Sequence, residues 1–179
     1  MNLTAIFQLY LERGKAPYEN GGISQLDHAL QSATLAEAAN QPDEMIAACL
    51  FHDLGHLLHS YGTRAADNGI NDRHEYRAIP SLSTLFSPTV WQPVRLHVEA
   101  KRYCCAVDPT YWERLSAGSK ETLALQGGVF SDAAAAAFIK RPYAEAAVQL
   151  RRWDDQAKAI GLVTPDLEHF RCKLEACVL

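Results

Sequence analysis

One stretch constrains this chain more than any other. After the apolar run Met45-Ile46-Ala47-Ala48-Cys49-Leu50 comes Phe51-His52-Asp53-Leu54-Gly55-His56-Leu57-Leu58-His59. Three imidazoles and a carboxylate are thereby placed inside a segment that must otherwise be buried. Ionisable groups in such a setting are costly unless something pairs with them, and a metal ion is the commonest reason for a buried His-Asp pair. Any fold open to this sequence must therefore bring further ligands to residues 52 and 53.

The chain has 179 residues, enough for one domain with a sizeable core and cramped for two. A single domain spanning residues 1–179 is expected. Hydrophobic residues make up 48% and charged residues 21%, the balance of an ordinary globular protein. A net charge of -4 gives no electrostatic footprint for nucleic acid or an anionic membrane. A small anionic substrate would need a local cluster of Lys, Arg and metal charge. The five cysteines (Cys49, Cys104, Cys105, Cys172 and Cys177) are odd in number and lack framework spacing, so they read as free thiols in a reducing cytosol. The start of the chain lacks a basic region and long apolar core, and no run reaches membrane-spanning length. These features predict a cytoplasmic protein.

Helical spacing recurs along the chain and alternating strands do not, which predicts an all-α fold. Residues 2–13 form the first helix, stopped by Gly14. Ser24 with Asp27 makes a variant capping box for a helix carrying Leu26, Leu30, Ala33 and Ala36 and ending near Asn40. Asp43 is expected to cap the helix that runs into the His-Asp stretch, with His56 one turn after His52 on the same face. Residues 60–73 read as a long loop of the kind often tied to function. His74 begins a short segment restricted by Pro80. Ser87-Pro88 opens a helix through Trp91, Val94, Val98 and Tyr103. A helix over Ser119 to Gln126 closes at Gly127-Gly128. Asp132 caps an alanine-rich segment, Pro142 starts a helix reaching Ile160, and Thr164-Pro165 opens the last helix.

Candidate ligands lie on separate helices: His28, His52-Asp53, His74, His97 and Asp154. A lone histidine on an apolar face is more often a satisfied core residue. Four histidines and two aspartates placed this way point instead to a metal site in a bundle core, where facing helices build such sites. Imidazole with carboxylate suits iron, manganese or zinc, and the residues alone leave that choice open.

In order, His28, His52-Asp53 and Asp154 match the minimal pattern of the HD-domain metalloproteins, which the chain resembles. His74 and His97 are similar to the second-metal ligands of a dinuclear subgroup. The fuller likeness is to HD-type phosphonate oxygenases, relatives of myo-inositol oxygenase. It rests on Gln25-Leu26-Asp27-His28-Ala29-Leu30-Gln31, the His52 to His56 motif, His97-Val98-Glu99-Ala100-Lys101-Arg102-Tyr103, Leu123-Ala124-Leu125-Gln126-Gly127-Gly128 and Arg151-Arg152-Trp153-Asp154-Asp155. The resemblance implies an HD-domain helical bundle with a mixed-valent Fe(II)/Fe(III) pair in its core and dioxygen as co-substrate. His28, His52, Asp53 and Asp154 would hold one iron, and His74, His97 and a bridging Asp53 the other. It also implies that Asp53, His56 and Lys101 serve catalysis, and that Tyr18, His56, Lys101, Ser119 and Arg151 bind a small organophosphonate. Arg152 competes for the Arg151 role. His59 gains no role and is expected at the surface.

One departure bears on the substrate. Relatives acting on 2-amino-1-hydroxyethylphosphonate carry a Tyr followed three positions later by a Glu that receives the ammonium. Here Tyr18 is present but the second position is Gly21. A trimethylammonium donates no hydrogen bond and prefers aromatic walls, which Tyr18 with Tyr103, Tyr111 or Trp112 could supply. The expected substrate is 1-hydroxy-2-(trimethylamino)ethylphosphonate, cleaved to glycine betaine and phosphate. The alternatives are the primary amine, with Glu19 swinging in to give glycine and phosphate, or a metal-dependent phosphohydrolase using the same ligands. Oligomeric state is not legible from the chain.

Overall fold

A computed structural model describes residues 1–19, 21–59 and 65–179. Its helices are α1 (Leu3–Arg13), α2 (Gln25–Ala38), α3 (Asp43–Phe51), α4 (His74–Arg77), α5 (Ile79–Leu82), α6 (Pro88–Val107), α7 (Tyr111–Arg114), α8 (Ala117–Leu125), α9 (Asp132–Phe138), α10 (Ala144–Gln156) and α11 (Leu167–Ala176). Short 3-10 turns occupy Leu54–Leu58 and Ala65–Asn68. Among the described residues extended pairing is confined to the isolated bridges Pro17 with Ser24 and Phe86 with Val178. The fold is the all-α HD-domain bundle. No described helix is long and apolar enough to cross a membrane.

The strongest local signals formed as expected. Ser24 accepts from the Asp27 amide while the Asp27 carboxylate accepts from Ser24, completing the capping box of α2. Gly14 ends α1, where an added Cβ would lie 2.4 Å from the Tyr10 carbonyl oxygen. Several expected caps are displaced by one to three residues. Pro42 rather than Asp43 precedes α3, Ser131 rather than Asp132 caps α9, and Asp166 rather than Thr164 caps α11. Helix α8 begins at Ala117 rather than Ser119, capped by Ser116, which accepts from the Ser119 amide. The helix expected to reach Ile160 stops at Gln156.

Two apolar clusters hold the elements together. The larger joins α1, α2, α3, α5 and α11 to the first part of α6, with Phe51, Phe86, Phe170, Ile46 and Leu50 at its centre. Burying each of these side chains contributes about 1.5–3 kcal/mol. The smaller packs Leu96, Ala100 and Cys104 of α6 against Tyr111, Phe138, Ala147 and Val148. Along α6 the clusters change over between Val94 and Leu96, and along α10 between Val148 and Leu150. Those two helices make the most extensive helix–helix contact in the molecule. His97, Arg151 and Asp154 all sit close to this seam.

Candidate metal centre

Helix α3 ends at Phe51, His52 is its C-cap, and Asp53 (φ -100°, ψ 8°) leads directly into the 3-10 turn. The continuous helix expected through residue 56 is therefore broken, and His56 reaches the site from a tighter turn. The break matters sterically. Gly55 lies under the start of α4, and a Cβ there would sit 2.0 Å from the His74 carbonyl oxygen. Only glycine lets the two histidine-bearing segments approach this closely.

The six expected ligands converge. His28 and His52 face each other with Nε2 atoms 3.1 Å apart, and His74 and His97 do the same at 3.1 Å. Asp53 stands between the pairs. Its Oδ2 is 3.5 Å from His28 Nε2 and 3.4 Å from His52 Nε2, while its Oδ1 is 3.5 Å from His74 and 3.7 Å from His97. Asp154 Oδ1 completes the first group, 3.3 Å from His28 Nε2.

The far nitrogen of each ring identifies what the near one does. His28 Nδ1 lies 2.8 Å from the Ala157 carbonyl oxygen, His52 Nδ1 2.8 Å from that of Cys49, and His97 Nδ1 2.7 Å from that of Val94. His74 Nδ1 is 3.0 Å from Asp72 Oδ1. Carbonyl and carboxylate oxygens only accept, so each Nδ1 carries a proton and Nε2 of the neutral ring presents a lone pair. Two such lone pairs facing each other at 3.1 Å repel, which a proton on one ring or a metal ion beside both relieves. Donors at right angles on one ion, with bonds of about 2.1 Å, are about 3.0 Å apart. The donor set fits metal, and Asp53 has an oxygen for each group.

Protein charges alone leave the imidazoles in conflict. Burial opposes charge on His28, but hydrogen bonds with Asp154 and Asp53 outweigh it and raise its pKa to about 9. His74 is likewise buried yet raised to about 9, through Asp72 and Asp53. His97 goes the other way, pushed well down by burial and by His74 and His52. Burial resists ionisation of Asp53 and Asp154, yet His52 and Arg151 respectively help hold them well below the usual carboxylate range. Ionised carboxylates beside imidazoles are donors that a multivalent cation can take by displacing the ring protons.

A cavity of about 370 Å³ opens onto Asp53, His74, His97 and Asp154. Its wall also carries Tyr18, His56, Lys101, Ser119 and Arg151, so every residue expected to touch substrate lies on one surface. Lys101 is 2% exposed, and its ammonium donates to Thr122 Oγ1 at 2.9 Å and the Ser119 carbonyl at 3.4 Å. Among the described residues no carboxylate pairs with it. Burial, helped by Arg151, lowers its pKa to about 7. Arg151 is clasped by Asp154 (2.5 Å) and Asp155 and donates to Ser119 Oγ at 3.2 Å.

No family model matches the chain. The hydroxymethylphosphonate dioxygenase of Gimesia maris is 39% identical over 177 residues, 98% of this chain and 88% of its own length. The glycine-betaine-forming [1-hydroxy-2-(trimethylamino)ethyl]phosphonate dioxygenase of Leisingera caerulea is 36% identical over 162 residues, 90% and 83% of the two chains. The chain belongs to the phosphonate dioxygenases.

As a phosphonate dioxygenase it departs from the sequence reading at several residues. His59 is not at the surface: its side chain is 5% exposed and Nε2 lies 3.0 Å from Asp72 Oδ2. Asp72, buried, also lies 2.6 Å from His56 Nδ1 and 3.0 Å from His74 Nδ1, and so orients three imidazoles. Burial resists its ionisation, but His56 and His74 hold its carboxyl well below the usual range. His56 stacks on His74 with ring centroids 4.0 Å apart, and Asp53, His56 and His74 offer ligand atoms within 4.8 Å of one another. Arg152 is exposed and does not line the cavity, leaving the site to Arg151.

The expected aromatic walls do not gather. Tyr18 stacks on His28 at 3.8 Å and lines the cavity, but Tyr103 packs on Phe138, Tyr111 bonds Asp155, and Trp112 is largely exposed. Gly21 has nothing within 4 Å of its Cβ position, and Glu19 and Glu121 are among the acids on the cavity wall. Asp72 and Lys158 were missed in the sequence. Asp72 could have been suspected from its place two residues before His74, whereas Lys158 gave no signal at all. Residues 60–64, part of the expected long loop, lie outside the described residues; the remainder contains the Ala65–Asn68 turn and the buried Asp72.

Proposed function

We propose that this dioxygenase cleaves the C–P bond of a small 1-hydroxyphosphonate with dioxygen at a two-iron centre. His28, His52, Asp53 and Asp154 would hold one iron, and His74, His97 and Asp53 the other. The reaction balances as R–CH(OH)–phosphonate plus O2 giving R–COOH and inorganic phosphate. The C–P bond breaks, the carbon is oxidised and both oxygen atoms enter the products. The bound iron pair would supply the redox chemistry that activates dioxygen and a place for the substrate's hydroxyl and phosphonate oxygens.

The observation that carries this reading is Lys101. A buried ammonium without a carboxylate partner, opening on the same cavity as the ligand clusters, suits an anion held beside metal. Its charge-assisted hydrogen bonds would fix the phosphonate oxygens. Arg151 keeps Asp154 ionised and aimed, and the Ser119 hydroxyl beside it offers a further contact. His56, with Nδ1 fixed on Asp72, directs Nε2 toward Asp53 and the reacting groups. Tyr18, whose phenol burial and Asp154 keep protonated, closes the side next to His28. Together these groups orient the substrate and neutralise its charge, which is where a protein contributes most to such a reaction.

The class includes the substrates in both relatives' names. Gly21 brings no carboxylate for a primary amine, and the aromatic walls that a trimethylammonium would seek do not gather. Hydroxymethylphosphonate needs no cation pocket, which agrees with the missing aromatic walls. The deciding experiment measures dioxygen uptake and phosphate release by iron-loaded protein given each phosphonate. Equal amounts of both are expected. Phosphate released without dioxygen would replace this reading with hydrolysis.

A further inference from the structure

The segment after α10 carries a cation that the chemistry above does not use. Ala157 and Ala159 are pinned on either side of Lys158. The Ala157 carbonyl accepts from His28, and Ala159 exchanges two 2.9 Å hydrogen bonds with the Gln31 amide. Lys158 is thus held over the cavity wall, where Nζ donates to Glu19 Oε1 (3.1 Å), Ser116 Oγ (3.1 Å) and Ser119 Oγ (3.5 Å). All three ammonium protons are used. Ser116 is equally saturated: its hydroxyl donates to Glu19 at 2.7 Å and accepts from Lys158 and the Ser119 amide. A hydroxyl has one proton and two lone pairs, so Ser116 is fully used, and the three hydrogen bonds that reach Glu19 all fall on its Oε1.

The backbone is shaped for the same contact. Glu19 has φ 44°, a left-handed conformation uncommon for a non-glycine residue. Gly118 faces it, and a Cβ there would lie 2.9 Å from the Glu19 carboxyl carbon. The Lys158 ammonium is also 5.5 Å from the centre of the Tyr18 ring, within the range at which a cation is attracted to an aromatic face. A built-in cation therefore holds both features a cationic substrate tail would seek, the carboxylate and the ring.

Resting on the functional reading above, we propose that Lys158 is a specificity-determining residue. By neutralising Glu19 and covering Tyr18, it selects 1-hydroxyphosphonates whose C1 substituent is uncharged over those carrying an ammonium. Discrimination of this kind works by occupying the competitor's partner. Lys158 does not line the cavity, so it acts through Glu19.

The test separates binding from turnover. Iron-loaded protein is titrated without dioxygen with two unreactive analogues, one bare and one bearing an ammonium at the far carbon, ethylphosphonate and 2-aminoethylphosphonate. Native protein should favour ethylphosphonate. Lys158→Met should shift the affinity ratio toward the amine by about tenfold, and adding Glu19→Gln to that variant should abolish the shift. Should Lys158→Met fail to fold, Glu19→Gln alone leaves an unbalanced cation and should move the ratio about tenfold the other way. A ratio unchanged in either single variant, or a native preference for the amine, would overturn the proposal. Because no turnover is read, loss of oxygen-coupled phosphate release would count against the functional reading and leave these binding ratios standing.

Discussion

The two halves of the donor set are built differently. His28 and His52 are fully buried, sit on or at the end of long helices, and are braced by main-chain carbonyls. His74 and Asp53 keep 6% and 7% of their surface, and His74 stands at the head of a four-residue helix, braced by a side chain, Asp72. His28 and His52 do not line the cavity, whereas His74 and His97 do, together with Asp53 and Asp154. A four-donor half whose two imidazoles lie off the cavity would be suited to keeping an ion. A half with three donors and an open side is suited to admitting substrate, since open coordination positions are what reaction requires.

The largest effect should come from the residue both halves share. Asp53→Ala should remove metal from both and lower activity at least about a thousandfold, consistent with several kcal/mol of metal-derived stabilisation. Full two-metal content in that variant would dissolve the comparison, because Asp53 would then not bridge. Removing a brace should separate the halves instead. Asp72→Ala should cost about 10–100-fold in metal affinity or activity, with loss confined to the His74 half; equal loss from both halves would show that they bind as one unit.

Lys101→Met should weaken phosphonate binding by about tenfold with metal content intact, as expected for a lost charge-assisted hydrogen bond. The sign of its pH dependence follows from burial. With a pKa lowered to about 7, the free enzyme carries the Lys101 charge below that pH and loses it above. kcat/KM for a phosphonate should fall as pH rises through 7, and the Met variant should lack that limb. Smallest in binding terms is Gly55→Ala. Overpacking against the His74 backbone should cost about 1–3 kcal/mol of stability, seen as a lower Tm, with preferential loss of metal from the cavity-facing half.

The halves also differ in how much the sequence disclosed. His28, His52, Asp53 and Asp154 were legible because polar residues inside strongly periodic apolar helices need an explanation, and the capping box at Ser24 fixed where α2 begins. His97 was legible for the same reason. The second half was harder to read because its surroundings are made of short elements. The 3-10 turn at Leu54–Leu58 altered how His56 approaches, and tertiary packing buried His59 and Asp72 where local polarity suggested solvent. Lys158 was invisible because its partners, Glu19 and Ser116, are 139 and 42 residues away in sequence. No periodicity reports a contact at that range. The same holds for the tyrosines: composition offered Tyr103 and Tyr111, and only packing shows that they serve another cluster.

The seam between the two apolar clusters has a thermodynamic consequence. The donors come from five separate stretches, spanning His28 to Asp154, and none forms a site in an unfolded chain. Metal that binds only the folded form adds its binding free energy to stability, about 2.7 kcal/mol at a hundredfold excess over Kd. With metal bound as proposed, folding and metal loading would be one equilibrium. Chelation should lower the melting temperature even of protein that is never asked to turn over, and a variant's apparent stability has meaning only at a stated metal concentration.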